Sequence, residues 1–521
     1  MKKPIFHSWV LLLTFAAVFW GRPAFGKQFL IWDKPLNLGA YLSQTLQFSL
    51  KGDKYDTEED LQQALMSLFV EADYRPSTDL VFYASSLTAI DWIYELKSND
   101  ASWREKLLSR SRDELYIDDA YWQLLKEAHV TWTPGTFYFR VGKQIVSWGE
   151  MDFFRIMDQI NPLDNRRGFS DVEFESTVIP IWLVRTEWWP RLDAAWLEEM
   201  GVQFIFNPNA DFIPDQGLTT GNDAGGIWSA AYRFENPLFP FGVGTPDVYV
   251  GALDETLEEP DEWSEDGFEY GVRISARIQG SILTLNGFYG RENAPVELLT
   301  GYQWDPVLTE MLGQPIPFLG TASDGTSILY PTYAGKFPRQ KYVGVTWTSD
   351  LPFRIGFLGG VNPVLRAEVK YQIDKTFKDL AEGQYYESDF LDTGWALDWK
   401  VKIPALNPRA YFTVSPQFFF NRILDYPSGF KLYDLPDENY YTFTVYLATS
   451  YINGKLVPDF AWAWDTNNAA NLFLSSLTYS PSNRWDLTVE AGFMQGQDLN
   501  RSFWLFRNKD YMALKIKYNW G

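Results

Sequence analysis

The sequence predicts an all-β fold, a transmembrane antiparallel β-barrel of roughly 16 to 18 strands. Three observations carry that prediction. Segments of about ten residues repeat a period-two alternation of apolar and polar side chains. Phe 39, Tyr 29 and Trp 23 make 17% of the chain, while charged residues are 21% against about 25% in an ordinary soluble domain. After the N-terminus no segment approaches roughly 18 consecutive apolar residues, so strands rather than helices must do any spanning.

The first 26 residues read as a secretory signal peptide. Lys2 and Lys3 form a basic start, an apolar stretch runs from Trp9 to Trp20, and Ala24-Phe25-Gly26 places small residues before a cut. Residues 27–521 then form the barrel. Cleavage removes Lys2, Lys3 and Arg22, leaving 42 bases against 67 acids, a charge of −25 compared with −22 for the precursor. Of the two histidines, His7 goes with the leader and His129 stays.

Alternation defines the strands. In the last one, Met512, Leu514, Ile516, Tyr518 and Trp520 share a face opposite Ala513, Lys515, Lys517 and Asn519. Tyr270, Val272 and Ile274 stand opposite Arg273, Ser275 and Arg277; Leu365, Ala367 and Val369 stand opposite Arg366, Glu368 and Lys370. Trp395, Leu397 and Trp399 alternate with Asp398 and Lys400, and Leu487, Val489 and Ala491 with Thr488 and Glu490. Many strands under one rule imply closure, because an open edge in hydrocarbon leaves unpaired backbone groups costing several kcal/mol each. Short turns at Arg75–Thr78 and Ser480–Asn483, against long polar loops at Lys51–Asp60, Asp254–Glu269 and Asn293–Lys336, match a barrel with one short-turn end and one long-loop end.

The most distinctive run is Gly142-Lys143-Gln144-Ile145-Val146-Ser147-Trp148-Gly149-Glu150, followed by Ile160-Asn161-Pro162-Leu163-Asp164. Gly149 releases the chain into Glu150–Pro180, which has no period-two pattern and carries Arg155, Arg166, Arg167, Asp152 and Asp158. Irregular backbone at membrane depth is tolerated only inside protein or against water. Residues 148–180 therefore read as an inward-folded plug or constriction, or as an excursion outside the membrane; Trp148, Gly149 and Glu150 serve equally as a strand end and tight turn.

These two runs resemble the G-[RK]-Q-x-V-x-W-G-E and I-N-P-x-D signature of an uncharacterised outer-membrane β-barrel family of unknown function, often encoded beside RND-type exporters of lipids or hydrophobes. Glu269–Arg273 and Leu365–Glu368 look like further matches. The chain departs from the usual aromatic end of outer-membrane strands, since Gly521 follows Trp520. The resemblance implies a transport role beside an inner-membrane RND-type exporter.

Charge placement separates acid in the loops from bases on the inner face. Arg273, Arg277, Arg366, Lys370, Lys515 and Lys517 face the lumen by alternation, with Glu368, Asp398 and Glu490 as opposite partners. Such a set reads either as a charged constriction biasing solute choice or as a solvated interior with cross-strand pairs. The acidic run from Asp254 to Glu269 lacks the spacing of a calcium loop and reads as solvated surface.

Without cysteine there is no disulfide, thiolate or Cys-ligated metal. A single mature histidine leaves little for acid–base chemistry, and the acidic balance excludes a phosphate-binding nucleic-acid partner. No cofactor and no metal site are expected. The reading is an outer-membrane channel in a Gram-negative bacterium, passing or exporting a small or lipid-like solute, in contact with outer-membrane lipid and lipopolysaccharide and inserted by the barrel-assembly machinery. The alternatives are a general diffusion porin, a lipid-acting enzyme and an adhesion barrel.

Overall fold

The computed structural model describes residues 28–51, 60–99, 116–152, 154–168, 177–192, 194, 196–217, 233–234, 248–250, 254–321, 327–354, 361–379, 383–426, 437–497 and 502–520. The leader expected over residues 1–26 lies outside them.

Eighteen strands form one closed antiparallel ring. The first nine are β1 (Lys34–Ser49), β2 (Leu61–Tyr74), β3 (Leu80–Asp91), β4 (Ala128–Trp132), β5 (Phe137–Gln144), β6 (Ile181–Trp188), β7 (Glu199–Asn207), β8 (Glu269–Ile278) and β9 (Ser281–Arg291). The remainder are β10 (Arg339–Asp350), β11 (Val364–Asp379), β12 (Gln384–Val401), β13 (Phe412–Ile423), β14 (Asn439–Ala448), β15 (Leu456–Asp465), β16 (Ala470–Ser482), β17 (Trp485–Gln495) and β18 (Tyr511–Trp520). Each strand pairs with its neighbour in sequence. The ring shuts where β18 returns to β1, with Tyr511 opposite Ser49 and Trp520 opposite Ala40. Trp520 is thus inside the closing seam, although Gly521 follows it.

Burial confirms which face is which. In β10, Tyr342 and Thr346 are buried, whereas Val343, Val345 and Trp347 are exposed. In β18, Tyr511 and Ala513 are buried while Met512, Leu514 and Ile516 are exposed. Exposed apolar side chains outside and buried polar ones inside invert the pattern of a water-soluble sandwich, and this is the arrangement an outer-membrane-type barrel needs in hydrocarbon. Aromatics gather at the short-turn rim: Trp132 stacks on Phe139 at 5.6 Å and Phe137 on Phe139 at 6.1 Å. Trp485, Tyr518 and Trp520 form a second such group, at 4.6 and 4.9 Å.

The turn joining β8 to β9 is two residues long, Gln279 at φ 50° and Gly280 at φ 79°. Two positive φ values make the mirror-image turn whose twist suits a hairpin. The turn expected at Ser480–Asn483 is shorter than that, because β16 continues to Ser482 and only residues 483–484 connect it to Trp485. The long-loop end also carries more order than its polarity suggests. Asp254–Glu258 is a strand, parallel to Pro331–Lys336, which in turn pairs antiparallel with Val296–Tyr302.

Asp211, beyond β7 at that end, has both carboxylate oxygens buried without a hydrogen-bond partner. Burial, with a smaller push from Glu262, raises its pKa to about 7 from an ordinary 3.8. A folded-state value above the unfolded one means the folded chain holds the extra proton, so ionisation weakens folding as pH rises from about 4 through 7. Asp211→Asn is therefore expected to resist thermal unfolding better than the parent at pH 8, with the difference fading towards pH 4.

Candidate functional site

The chain leaves β5 through a backbone position only glycine fills. Gly142 has φ 131°, and a Cβ there would overlap the Ala128 carbonyl oxygen of β4. Lys143 follows, fully buried, its ammonium 4.4 Å from the Tyr121 ring centre. Gln144 Nε2 donates to Leu183 O of β6 at 3.0 Å.

Asn161 then draws the departing and returning chain together. Its Oδ1 accepts from Val146 N at 2.8 Å, and its Nδ2 donates to Gln144 O at 3.2 Å and Ile179 O at 2.9 Å. Pro162 accepts from Ile179 N at 2.9 Å. Asp158 closes a tighter turn by accepting from Trp148 N at 2.5 Å and Gly149 N at 2.8 Å. A side chain at Gly149 would lie 2.6 Å from that carboxylate. Asp164 accepts from Arg166 Nε at 2.9 Å and Gln123 Nε2 at 2.9 Å. Burial alone would raise the Asp164 pKa, but the Arg166 guanidinium outweighs it and holds the carboxyl below the usual range. The two motif runs, separate in sequence, therefore build one irregular inner segment, residues 145–163.

That segment packs on the inward row of the wall from β7 to β13. Trp148, fully buried, donates from Nε1 to Gln203 Oε1 of β7 at 2.6 Å and meets Phe288 of β9 edge-on at 6.5 Å. Three wall glycines leave room for it: a Cβ at Gly271 of β8 would be 2.6 Å from the indole, at Gly344 of β10 2.5 Å from Met157, and at Gly394 of β12 2.6 Å from Ile156. Phe154 crosses Phe419 of β13 at 5.0 Å, and Tyr342 donates its hydroxyl to Met157 O at 3.2 Å. Glu368 of β11 takes three backbone N–H groups at once, from Glu150, from Met151 at 3.1 Å and from Met157 at 3.1 Å. A carboxylate with several converging donors is a strong anchor, since each donor is itself removed from water.

The lumen charges expected from alternation do face inward, but most are engaged. Arg366 donates to Glu150 O, Asp152 and Asp398, with 2.6 Å to Asp152 and 2.9 Å to Asp398. Lys370 pairs with Asp392 at 3.2 Å. Arg273 donates to Ser147 O at 3.2 Å and lies 3.9 Å from Glu150; Arg277 lies 4.0 Å from Glu199. Lys517 sits 3.9 Å over the Tyr41 ring, and Lys515 stands opposite Thr45 and Thr488. Glu368 anchors backbone instead of pairing with a base, and Glu490 accepts from the Tyr511 hydroxyl. His129 of β4 is buried, stacked on Tyr83 at 5.1 Å, with Thr131 Oγ1 at 3.5 Å and Glu127 at 3.9 Å.

Three cavities surround the segment. One of 340 Å³ is lined by Arg185, Arg273 and Arg277 with Glu150, Glu187 and Glu199. A second, 490 Å³, lies along Tyr41, Phe69, Glu71, Tyr83, Lys126 and Lys517. A third, 570 Å³, lies between Asp152 and the inward faces of β12–β17. Gln203, Gly344 and Asp459 were not singled out by sequence. An inward glycine in an otherwise regular strand was the one available signal for the docking positions.

Residues 53–520 match the model of a family described as a protein of unknown function, DUF1302. The chain belongs to this family. No curated protein sequence matches it. Solved structures similar to this DUF1302 member include Acinetobacter baumannii OccAB3, with 8% identity and a TM-score of 0.45, covering 93% of this chain and 98% of that one. Pseudomonas aeruginosa OpdK with vanillate is similar at 8% identity and TM-score 0.43, again over 93% and 98%. Salmonella typhi OmpF in complex with daunomycin matches at 10% identity and TM-score 0.36, over 95% and 100%.

Proposed function

We propose that this DUF1302 barrel is a non-enzymatic outer-membrane channel that passes a small or lipid-like solute along a lumen narrowed by residues 145–163. The observation that carries the reading is the asymmetric filling of the ring. The inner segment occupies the inward faces of β7–β13, while cavities of 490 and 570 Å³ remain along β12–β18 and β1–β3. A closed ring with a polar interior has its use in what crosses it. The chemistry of an enzyme has less to stand on, because His129 is flanked by threonine and an aromatic ring with its nearest carboxylate at 3.9 Å.

Planar-bilayer recording tests this. The intact barrel is expected to show a small, steady conductance that rises severalfold when residues 147–158 are replaced by a short Gly-Ser linker. A large conductance unchanged by that deletion would remove the constriction and favour a general diffusion porin. Silence from both proteins would overturn the channel itself.

A further inference from the structure

We infer that residues 117–127 form a lateral gate in the barrel wall, through which an amphiphile with one apolar chain and an anionic headgroup passes between the bilayer and the 490 Å³ cavity. The inference deepens the channel reading and rests on it. A tilted strand needs about 9–11 residues to cross the hydrocarbon, and β2 and β3 have 14 and 12. The next three, β4, β5 and β6, have only 5, 8 and 8. They stop together, with Ala84 of β3 facing Ala128, Ala128 facing Lys143 and Gln144 facing Ile181. The wall is therefore low at one place on its long-loop side, and an uncovered edge there would leave backbone groups unpaired in lipid. Residues 117–127 cover it. They touch β3 at two points, Lys126 and Glu127 beside Ser85, and Ile117 and Asp118 beside Ile90 and Ala89. Between those points the chain leaves the ladder for one helical turn, Tyr121–Leu124, with Ile117, Tyr121, Leu124 and Leu125 exposed. Side chains hold the turn from within: Gln123 Nε2 donates to Asp164 at 2.9 Å, Lys126 Nζ to Val178 O at 3.0 Å, and Arg167 to Asp118 at 2.9 Å. A piece of wall secured by side chains in place of a continuous ladder is one that opens locally while the barrel stays folded.

Two further observations say what passes. The cavity lies directly behind the gate, since Lys126, Glu127 and Ile145 from the edge of the low wall line it together with Tyr41, Phe69 and Tyr83. Its volume is that of a small-molecule pocket and its aromatic rings suit a single chain. The second observation is Lys143. By alternation it belongs to the outward row of β5 with Phe137 and Val141, both exposed, yet it is fully buried beneath the Tyr121 ring. The ring offers its ammonium some attraction, but Nζ has no hydrogen-bond partner. Three N–H donors without an acceptor are costly to keep from water, and a charged amine in the outward row is costly against lipid. Moving the Tyr121 turn aside would bare this ammonium at the rim of the opening, where a carboxylate or phosphate supplies both the acceptors and the opposite charge. Lys126 on the cavity side is a second base along the same path, and Glu71 across the cavity accepts from the Tyr83 hydroxyl at 2.8 Å.

Photolabelling of the full-length barrel in liposomes tests the inference, with palmitate and hexadecanol, each carrying a diazirine near the chain end, as probes in the bilayer. Palmitate is expected to label peptides holding Tyr41, Phe69 or Tyr83 inside the cavity, as well as the lipid-facing peptide of Val343 and Val345. The chain has no cysteine, so Gln123→Cys with Asp164→Cys can be joined by a short bis-methanethiosulfonate and released by reductant. Joining should cut cavity labelling severalfold, reduction should restore it, and labelling at Val343 should not change. Lys143→Gln should weaken cavity labelling by palmitate severalfold and leave labelling by hexadecanol in place. Unheated gel mobility reports folding, and Lys143→Gln carries the test alone if the cysteine pair has not folded. Cavity labelling that ignores the cross-link, or is missing in a parent that conducts, would overturn the lateral gate while leaving a channel. Palmitate labelling unchanged in Lys143→Gln, or falling together with that of hexadecanol, would overturn the anionic headgroup. Silence in bilayer recording from both the parent and the 147–158 deletion would instead overturn the channel reading, and this inference would fall with it.

Discussion

Trp148→Ala is expected to undock the inner segment and raise single-channel conductance severalfold while the barrel itself stays folded. The indole is fully buried, fills the space left by Gly271, meets Phe288 and donates to Gln203. Truncating a buried aromatic of this kind costs about 3–5 kcal/mol, and it would leave Gln203 Oε1 without this donor. That loss falls on the docking of one segment, because the barrel strands keep their ladders, so the measurable result is local opening. Limited proteolysis should cut between residues 147 and 158 in the variant and spare the parent. Trp148→Phe separates packing from hydrogen bonding: it keeps most of the apolar volume and should retain most of the protection. A Trp148→Ala barrel with parental conductance and parental resistance to protease would show that the indole does not hold the segment.

Substitution at Glu368 should have the next largest effect, and a graded one. Glu368→Leu leaves three backbone N–H groups at residues 150, 151 and 157 buried without their acceptor. At about 1–3 kcal/mol for each stranded donor, the total is of the order of 3–9 kcal/mol, enough to open the segment most of the time. Glu368→Gln keeps one carbonyl oxygen. Because Glu150 and Met151 share Oε1 while Met157 uses Oε2, glutamine can satisfy the first two and turns an N–H against the third. Its conductance and protease sensitivity should fall between those of the parent and of Glu368→Leu. Equal behaviour of Gln and Leu would mean that charge, not the count of acceptors, holds the segment. The Arg366–Asp398 pair supplies the control, since both residues belong to wall strands and stay paired in both variants.

How much of this was readable in advance differs from one residue to the next. The facing of Arg273, Arg366, Lys370 and Lys517 followed from alternation alone, since a strand sends successive side chains to opposite faces. Their employment did not follow. Lys370 meets Asp392 from β12 and Arg366 meets Asp152 from the inner segment, and neither partner is near in sequence. Glu368 illustrates the gap most clearly: in sequence it is one more inward acid, whereas in the fold it is the anchor of a loop more than two hundred residues earlier. The motif Trp148-Gly149-Glu150 marked an important place without revealing its partners, because Gly271, Gly344 and Gly394 come from three distant strands.

The amino-acid order by itself determined the barrel, its inward and outward faces, its short-turn and long-loop ends, and the point at which the chain leaves β5. Those features rest on periodicity and on local backbone freedom, both of which are written along the chain. Only the tertiary structure decided that residues 145–163 lie against one side of the ring, that most lumen bases are engaged within it, and that a cavity whose charged lining residues are all acids remains beyond Asp152. Ring closure is the physical reason: strand number, register and loop path together choose which distant side chains meet across the lumen, and charge and packing acquire their meaning only after that meeting.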